Sequence, residues 1–189
     1  MSNFLDNVYG TLFCPDETFE KMRENPPIFQ GFLIVILISI LKPLLDLDLG
    51  DEKLGLLWFG VNMFNSIFFG VSSWLSFAFF LELVASIFGQ AGKIKTFLTL
   101  FAFALMPWIF AAPIELFKID GAFTKIIAMF LGLFIWLWVI VLVIVAIIKS
   151  YQLSFGRTLA LIIVPFLGSF LVLYWFIGFF STLFQILKV

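Results

Sequence analysis

The sequence predicts an all-α integral membrane protein, a bundle of five transmembrane helices preceded by short amphipathic interfacial helices. Of its 189 residues, 63% are hydrophobic and 12% are charged, whereas a water-soluble domain must cover its exterior with polar side chains. Crossing about 30 Å of hydrocarbon takes roughly 20 apolar residues in a helix. Five runs meet that demand, at residues 28–45, 54–88, 94–117, 123–148 and 158–187.

The N-terminal segment, residues 1–27, is predicted to lie on the membrane surface as two amphipathic helices. Apolar residues recur at helical spacing from Phe4 to Phe13, and Pro15 suits a helix start before Phe19 and Met22. A frayed tail is the alternative. Because the segment is acidic, apolar insertion or packing under the bundle must hold it in place. It lacks the basic leader and cleavage site of a signal peptide, so the first apolar run is expected to be retained.

Residues 28–189 are predicted to form a single transmembrane domain. Short polar or glycine-containing turns separate the spans, so consecutive helices are expected to be antiparallel neighbours. The run at 54–88 would measure about 50 Å as one helix. We therefore expect residues 54–60 to lie in the interface, with a division into two spans as the competing interpretation.

The amino-acid composition excludes zinc hydrolases, haem proteins and Ser-His-Asp hydrolases. The chain has one cysteine, Cys14, and no histidine, so the commonest metal ligands and general bases are missing. The net charge is −1, which offers no basic field for nucleic acid. With short turns and no catalytic constellation, we expect no enzyme activity, no cofactor and no metal site.

Two carboxylates at or near membrane depth are candidate functional groups, because ionisable residues are expensive there. Glu82 lies near the end of the second span, within reach of Lys93 or Lys95 across the turn, and Glu115 lies near Lys118 at the end of the third. Both are interpreted first as paired or interfacial carboxylates. A proton or ion relay is the alternative.

A polar stripe along the second span is a further candidate. It consists of small and amide residues, namely Asn62, Asn65, Ser66, Gly70, Ser73 and Ser76. Such residues let helices approach closely and form hydrogen bonds across the contact. Helix packing is the favoured interpretation, and a pore or substrate groove is the alternative.

Three prolines are predicted to kink or gate the spans. Pro107 and Pro113 fall in the third span and Pro165 in the fifth. Each removes an intrahelical hydrogen bond and frees the carbonyl four residues earlier.

Three stretches resemble the Yip family, the five-span Ypt/Rab-interacting-protein domain. The first is Pro15-Asp-Glu-Thr-Phe19-Glu-Lys-Met22. The second is the turn with Gly89, Gly92 and Lys93, followed by the stretch that ends at Pro107. The third is Trp136 and Trp138 followed by Lys149-Ser-Tyr-Gln-Leu-Ser-Phe-Gly-Arg157. The chain is most similar to a compact prokaryotic member, and it lacks the Asp-Leu-Tyr-Gly-Pro motif of eukaryotic members.

The resemblance implies a multi-pass protein of the cytoplasmic (inner) membrane with its N-terminus in the cytoplasm. The basic residues divide almost evenly between the two sides, so charge adds little to this orientation. A membrane scaffold or adaptor linked to membrane organisation or trafficking is the expected function. The expected partners are lipids, proteins at the N-terminal segment or cytoplasmic turns, and a second copy of the chain. The competing hypothesis is a small transporter, channel or lipid scramblase that uses the kinked spans and the carboxylates.

Overall fold

In the computed structural model, the described residues are 3–45, 52–116, 122–165, 167 and 174–176. Their regular elements are helices: α1 Phe4–Phe13, α2 Pro15–Glu24, α3 Ile28–Leu45, α4 Glu52–Ile87, α5 Ile94–Ala104, a 3₁₀ helix Met106–Phe110, α6 Ala111–Leu116 and α7 Ala122–Tyr151. A further apolar helix, α8, covers Phe155–Pro165. The predicted all-α class is confirmed.

Four helical segments of the described residues are long and apolar enough to cross a membrane. They are Ile28–Leu45, Leu57–Ile87, Ile94–Ile114 and Phe123–Tyr151. Most of the predicted fifth span, residues 158–187, lies outside the described residues, and α8 covers its start. The chain also divides into two compact units, Met1–Gln152 and Leu153–Val189, so α8 belongs to the second unit.

The long second span is a single helix. α4 runs without interruption over 36 residues, about 54 Å at the usual rise per residue. It is therefore one long span rather than two short ones. The side chains of residues 52–56 lie outside the described residues, so the interfacial placement of residues 54–60 stays a prediction.

The core of the first unit lies where α2, α3, α5 and α7 meet. Its fully or almost fully buried members are Phe19, Met22, Ile34, Leu100, Phe103, Ala104, Met106, Leu142 and Ala146. The exposed fractions of Phe19 and Met22 are 0% and 2%. These two side chains of α2 are thus part of the core of the membrane bundle.

The N-terminal segment forms two helices, as predicted. In α1, polar side chains are buried beside partly buried apolar ones. Asn7 and Thr11 are 2% and 0% exposed. Asn7 Nδ2 donates a hydrogen bond to Gln30 Oε1 at 2.9 Å, and Thr11 Oγ1 donates to the Asn7 carbonyl at 2.7 Å. Since these polar groups are satisfied inside the protein, the side of α1 that meets the bundle includes polar side chains as well as Val8 and Leu12.

Candidate functional site

The turn between α4 and α5 shapes the strongest candidate site. Gly89 and Gly92 have φ values of +74° and +84°, a region that residues with a Cβ rarely adopt. The Gly89 and Gln90 N–H groups donate to carbonyls of the last turn of α4 at 3.0 Å each, which satisfies groups left open by the helix end. The turn thereby places the first N–H groups of α5 beside the last turns of α4.

The Glu82 carboxylate accepts hydrogen bonds both from this turn and from a third helix, α7. Glu82 Oε1 accepts hydrogen bonds from the Gly92 N–H and from the Lys93 N–H, the latter at 3.0 Å. Glu82 Oε2 accepts a hydrogen bond from the Tyr151 hydroxyl at 2.8 Å. The carboxylate therefore joins α4, the start of α5 and the end of α7, and we call this set of contacts the Glu82 clamp.

The Glu82 carboxylate lies at the N-terminus of α5. The first N–H groups of a helix have no intrahelical partner and carry the positive end of the helix dipole. Lys93 is the N-cap of α5 and its own side chain makes no capping hydrogen bond. Glu82 supplies that cap from another helix.

The sequence predicted a different partner for Glu82. We expected the ammonium of Lys93 or Lys95, whereas the described contacts involve the Lys93 backbone and the Tyr151 hydroxyl. Tyr151 was not among the predicted site residues. It is 0% exposed, and its ring lies 5.7 Å from that of Phe97. A buried tyrosine needs a partner for its hydroxyl, and its place at the end of a span was the available signal.

A second polar cluster ties α2 to the end of α7. Lys149 Nζ lies 2.9 Å from Asp16 Oδ1 and 3.6 Å from Glu20 Oε2. Glu20 also forms an ion pair with Arg23. When the side-chain amide of Gln152 is oriented with its oxygen toward Arg23, that oxygen accepts hydrogen bonds from the Arg23 guanidinium. Both halves of α2 are thus fixed to the last residues of α7.

The polar stripe on α4 divides into two parts. Ser66 Oγ donates to the Ser39 carbonyl of α3 at 2.6 Å, and Gly70 faces Ser39 so closely that a Cβ there would overlap its hydroxyl. Asn62 is half-buried and Asn65 is exposed. Ser66 and Gly70 therefore form a helix contact, while Asn65 lies outside it.

Sequence reasoning overlooked the residue that explains the Ser66 bond. Pro43 lies inside α3 and is buried. Having no N–H, it leaves the carbonyl four residues earlier without its usual donor, and that carbonyl belongs to Ser39. A serine of a neighbouring helix can satisfy such a carbonyl in lipid, and Ser66 does so here. Listing every proline inside an apolar run would have found Pro43.

The predicted prolines occupy three different settings. Pro107 is buried in the 3₁₀ helix Met106–Phe110, which separates α5 from α6. Pro113 is exposed in the first turn of α6, where a missing N–H has little consequence. Pro165 ends α8 in the second unit. Their role in gating stays a prediction.

The structure does not gather the predicted site residues into one place. Asn62 and Glu82 are about 30 Å apart along α4, taking the usual rise per residue. The side chain of Glu115 lies outside the described residues. Across the described part of the chain, no group of three His, Cys, Asp or Glu residues is arranged to hold a metal ion.

Comparison with models of protein families shows to which family the chain belongs. The model of the Yip1 domain matches residues 9–177. The chain belongs to the Yip1 domain family. Comparisons with curated proteins and with solved structures gave no significant match.

The Yip1 domain match encloses the Glu82 clamp and the α2 cluster. It begins at residue 9, inside α1, and continues through the Gly89–Lys93 turn and the end of α7. Together with the apolar helices, membership of this family makes the protein a multi-pass membrane protein. The predicted resemblance is confirmed.

Proposed function

We propose that this Yip1-domain chain is a non-catalytic membrane scaffold or adaptor, with α2 as a fixed platform for protein partners. The burial of α2 in the bundle carries the proposal. Phe19 and Met22 are part of the core, while Glu17, Lys21 and Glu24 on the same helix are exposed. A short helix held in this way presents a charged surface of constant shape and loses little conformational freedom when a partner binds.

The Glu82 clamp supports the same conclusion. Both carboxylate oxygens of Glu82 accept hydrogen bonds from the protein itself. A carboxylate that carries protons or ions needs to exchange these partners for its cargo. The arrangement favours a structural role for Glu82 and leaves the scaffold hypothesis ahead of a transporter.

Orientation forms part of the proposal. In the proposed orientation the protein lies in the cytoplasmic (inner) membrane with its N-terminus in the cytoplasm. α2 and the Gly89–Lys93 turn then face cytoplasmic partners. A Glu17→Cys variant of the Cys14→Ser chain would then react with a membrane-impermeant maleimide in inside-out vesicles. In right-side-out vesicles it would stay unlabelled, and labelling there would reverse the orientation.

Purified protein in liposomes separates the two functions. Ion flux and lipid scrambling are followed together, comparing the natural chain, Glu82→Gln and protein-free vesicles. A scaffold leaves the vesicles as tight as the protein-free ones. Flux or scrambling that Glu82→Gln abolishes would make the protein a transporter or scramblase and end the scaffold proposal.

Photo-crosslinking in cells tests the platform directly. A photo-reactive amino acid at Glu17 is compared with one at Lys125, which is exposed at the start of α7. We expect a discrete adduct with another protein from position 17 and none from position 125. Equal adducts from both positions, or none from position 17, would contradict a partner surface on α2.

A further inference from the structure

The outer face of α1 is an exposed apolar stripe. Leu5, Tyr9 and Phe13 follow one another at intervals of four residues and therefore share a helix face. Their exposed fractions are 68%, 66% and 64%, and the rings of Tyr9 and Phe13 lie 4.7 Å apart. We propose that α1 is embedded in one leaflet of the bilayer, with this stripe in contact with lipid acyl chains.

The packing of α1 fixes the direction in which the stripe points. On the side of α1 that faces the bundle, Asn7 donates a hydrogen bond to Gln30, and Val8 and Leu12 pack against the core. At Gly10 the helix passes so close to Thr18 of α2 that a Cβ would overlap that side chain. Rotating α1 to hide its stripe would break these contacts, so the stripe has to be covered from outside.

The neighbours of α1 place it beside a membrane span. α1 contacts both α5 and the 3₁₀ helix Met106–Phe110, which belong to the candidate span Ile94–Ile114. Met106 is about 18 Å beyond Ile94 if the chain rises ~1.5 Å per residue. A helix that reaches this level lies alongside the apolar part of the span, and its outer face continues the lipid-facing surface of the bundle.

The division of charge between α1 and α2 points the same way. Asp6 is the one charged residue in α1, whereas α2 carries six, namely Asp16, Glu17, Glu20, Lys21, Arg23 and Glu24. An apolar helix beside a charged helix is the arrangement expected where one faces lipid and the other faces water. Because α1 has no basic residue, anionic headgroups would not attract it, and acyl chains are the matching partner.

The single cysteine gives a clean background for the test. Cys14 is replaced by serine, and single cysteines are introduced at Tyr9 and, as the matched control on α2, at Glu17. Both positions are exposed, so the substitutions leave the core intact. Each variant is labelled with a nitroxide and reconstituted in liposomes of neutral phospholipid. Collision rates with oxygen, which concentrates in lipid, and with a water-soluble nickel chelate are measured by electron paramagnetic resonance.

We expect the oxygen-to-nickel collision ratio to be several-fold higher at position 9 than at position 17. Labels at Leu5 and Phe13 would give the same high ratio, which guards against an effect of one substitution. A position 9 label that collides with nickel as often as the position 17 label would place the stripe in water. Low collision rates with both reagents would mean that protein, such as a second copy of the chain, covers it. Either result would overturn the proposal.

Discussion

The hydrogen bond from Ser66 to the Ser39 carbonyl can be tested by asking whether Pro43 creates the need for it. Replacing Ser66 by alanine removes the donor, which lies 2.6 Å from the carbonyl oxygen. With Pro43 in place, that carbonyl has no N–H four residues later. With Pro43→Ala, the backbone N–H of residue 43 is restored and can donate to Ser39 within α3. The decrease in the free energy of unfolding caused by Ser66→Ala should therefore depend on which residue stands at position 43.

The structure sets the size of this dependence. Hydrogen bonds between membrane helices contribute about 0.6 kcal/mol on average and up to ~1.7 kcal/mol. The Ser66 bond is short and partly buried, and its loss leaves a carbonyl unsatisfied. We expect Ser66→Ala to lower the free energy of unfolding by about 1 kcal/mol in the natural chain. In the Pro43→Ala background the loss should be close to zero, so the coupling energy is about 1 kcal/mol.

The assay is reversible unfolding in mixed micelles of increasing SDS content, followed by circular dichroism. Ser73→Ala is the matched control, because the Ser73 hydroxyl donates to the Gly70 carbonyl of its own helix and leaves α3 unaffected. The four chains of the cycle are measured together, so any packing effect of Pro43→Ala cancels. An equal cost of Ser66→Ala in both backgrounds, within about 0.3 kcal/mol, would refute the role assigned to Pro43.

Variants at Glu82, Gly92 and Lys149 test the end of the bundle where the Glu82 clamp lies. Glu82→Gln keeps one acceptor oxygen for the two N–H groups and replaces the other oxygen with an NH2 group, which can donate to the Tyr151 hydroxyl oxygen, so it should cost about 1 kcal/mol, whereas Glu82→Ala should cost ~3 kcal/mol in the same SDS titration. Gly92→Ala should cost about 1–2 kcal/mol because φ there is +84°. Gly60→Ala, with no heavy atom within 4 Å, should cost nothing. Lys149→Met should speed amide hydrogen exchange in α2, measured by mass spectrometry, while α5 exchanges as before.

Each of these expectations has a result that contradicts it. Equal losses from Glu82→Gln and Glu82→Ala would mean that the charge alone, and not the bonding pattern, stabilises the turn. A Gly92→Ala chain as stable as Gly60→Ala would remove the argument from backbone strain. Unchanged exchange in α2 after Lys149→Met would show that Phe19 and Met22 hold the helix without help from the ion pairs.

Four of the five runs predicted from hydropathy correspond to helical segments long and apolar enough to cross a membrane, because length and apolar content are what such helices require. The predicted boundaries at 28–45 match α3, and α4 is one helix as preferred. The same criterion says nothing about which side of a short helix meets protein. α1 shows this limit: its apolar periodicity is clear, yet Asn7 and Thr11 are buried because Gln30 and a backbone carbonyl satisfy them.

The candidate site was only partly predictable for a related reason. Glu82 was identified from the cost of a carboxylate near membrane depth, and that reasoning needs no partner. Its partners come from the N-terminus of α5 and from Tyr151, 69 residues away along the chain. No local pattern links residues so far apart. Pro43, in contrast, follows from a local rule and was missed because it lies near the end of its span.

The polar contacts of the Glu82 clamp and of the α2 cluster meet at one end of the bundle, and this asymmetry favours a docking role over a conduit. The Glu82 clamp joins α4, α5 and α7, and Lys149, two residues before Tyr151, holds α2 against the same end of α7. A conduit needs polar groups spread across the bilayer, whereas the core that packs around Phe19 and Met22 of α2 consists of apolar side chains such as Leu142 and Phe103. Stabilising one end strongly is useful where a rigid surface must be presented to partners, and it is at this end that α2 exposes its charged face.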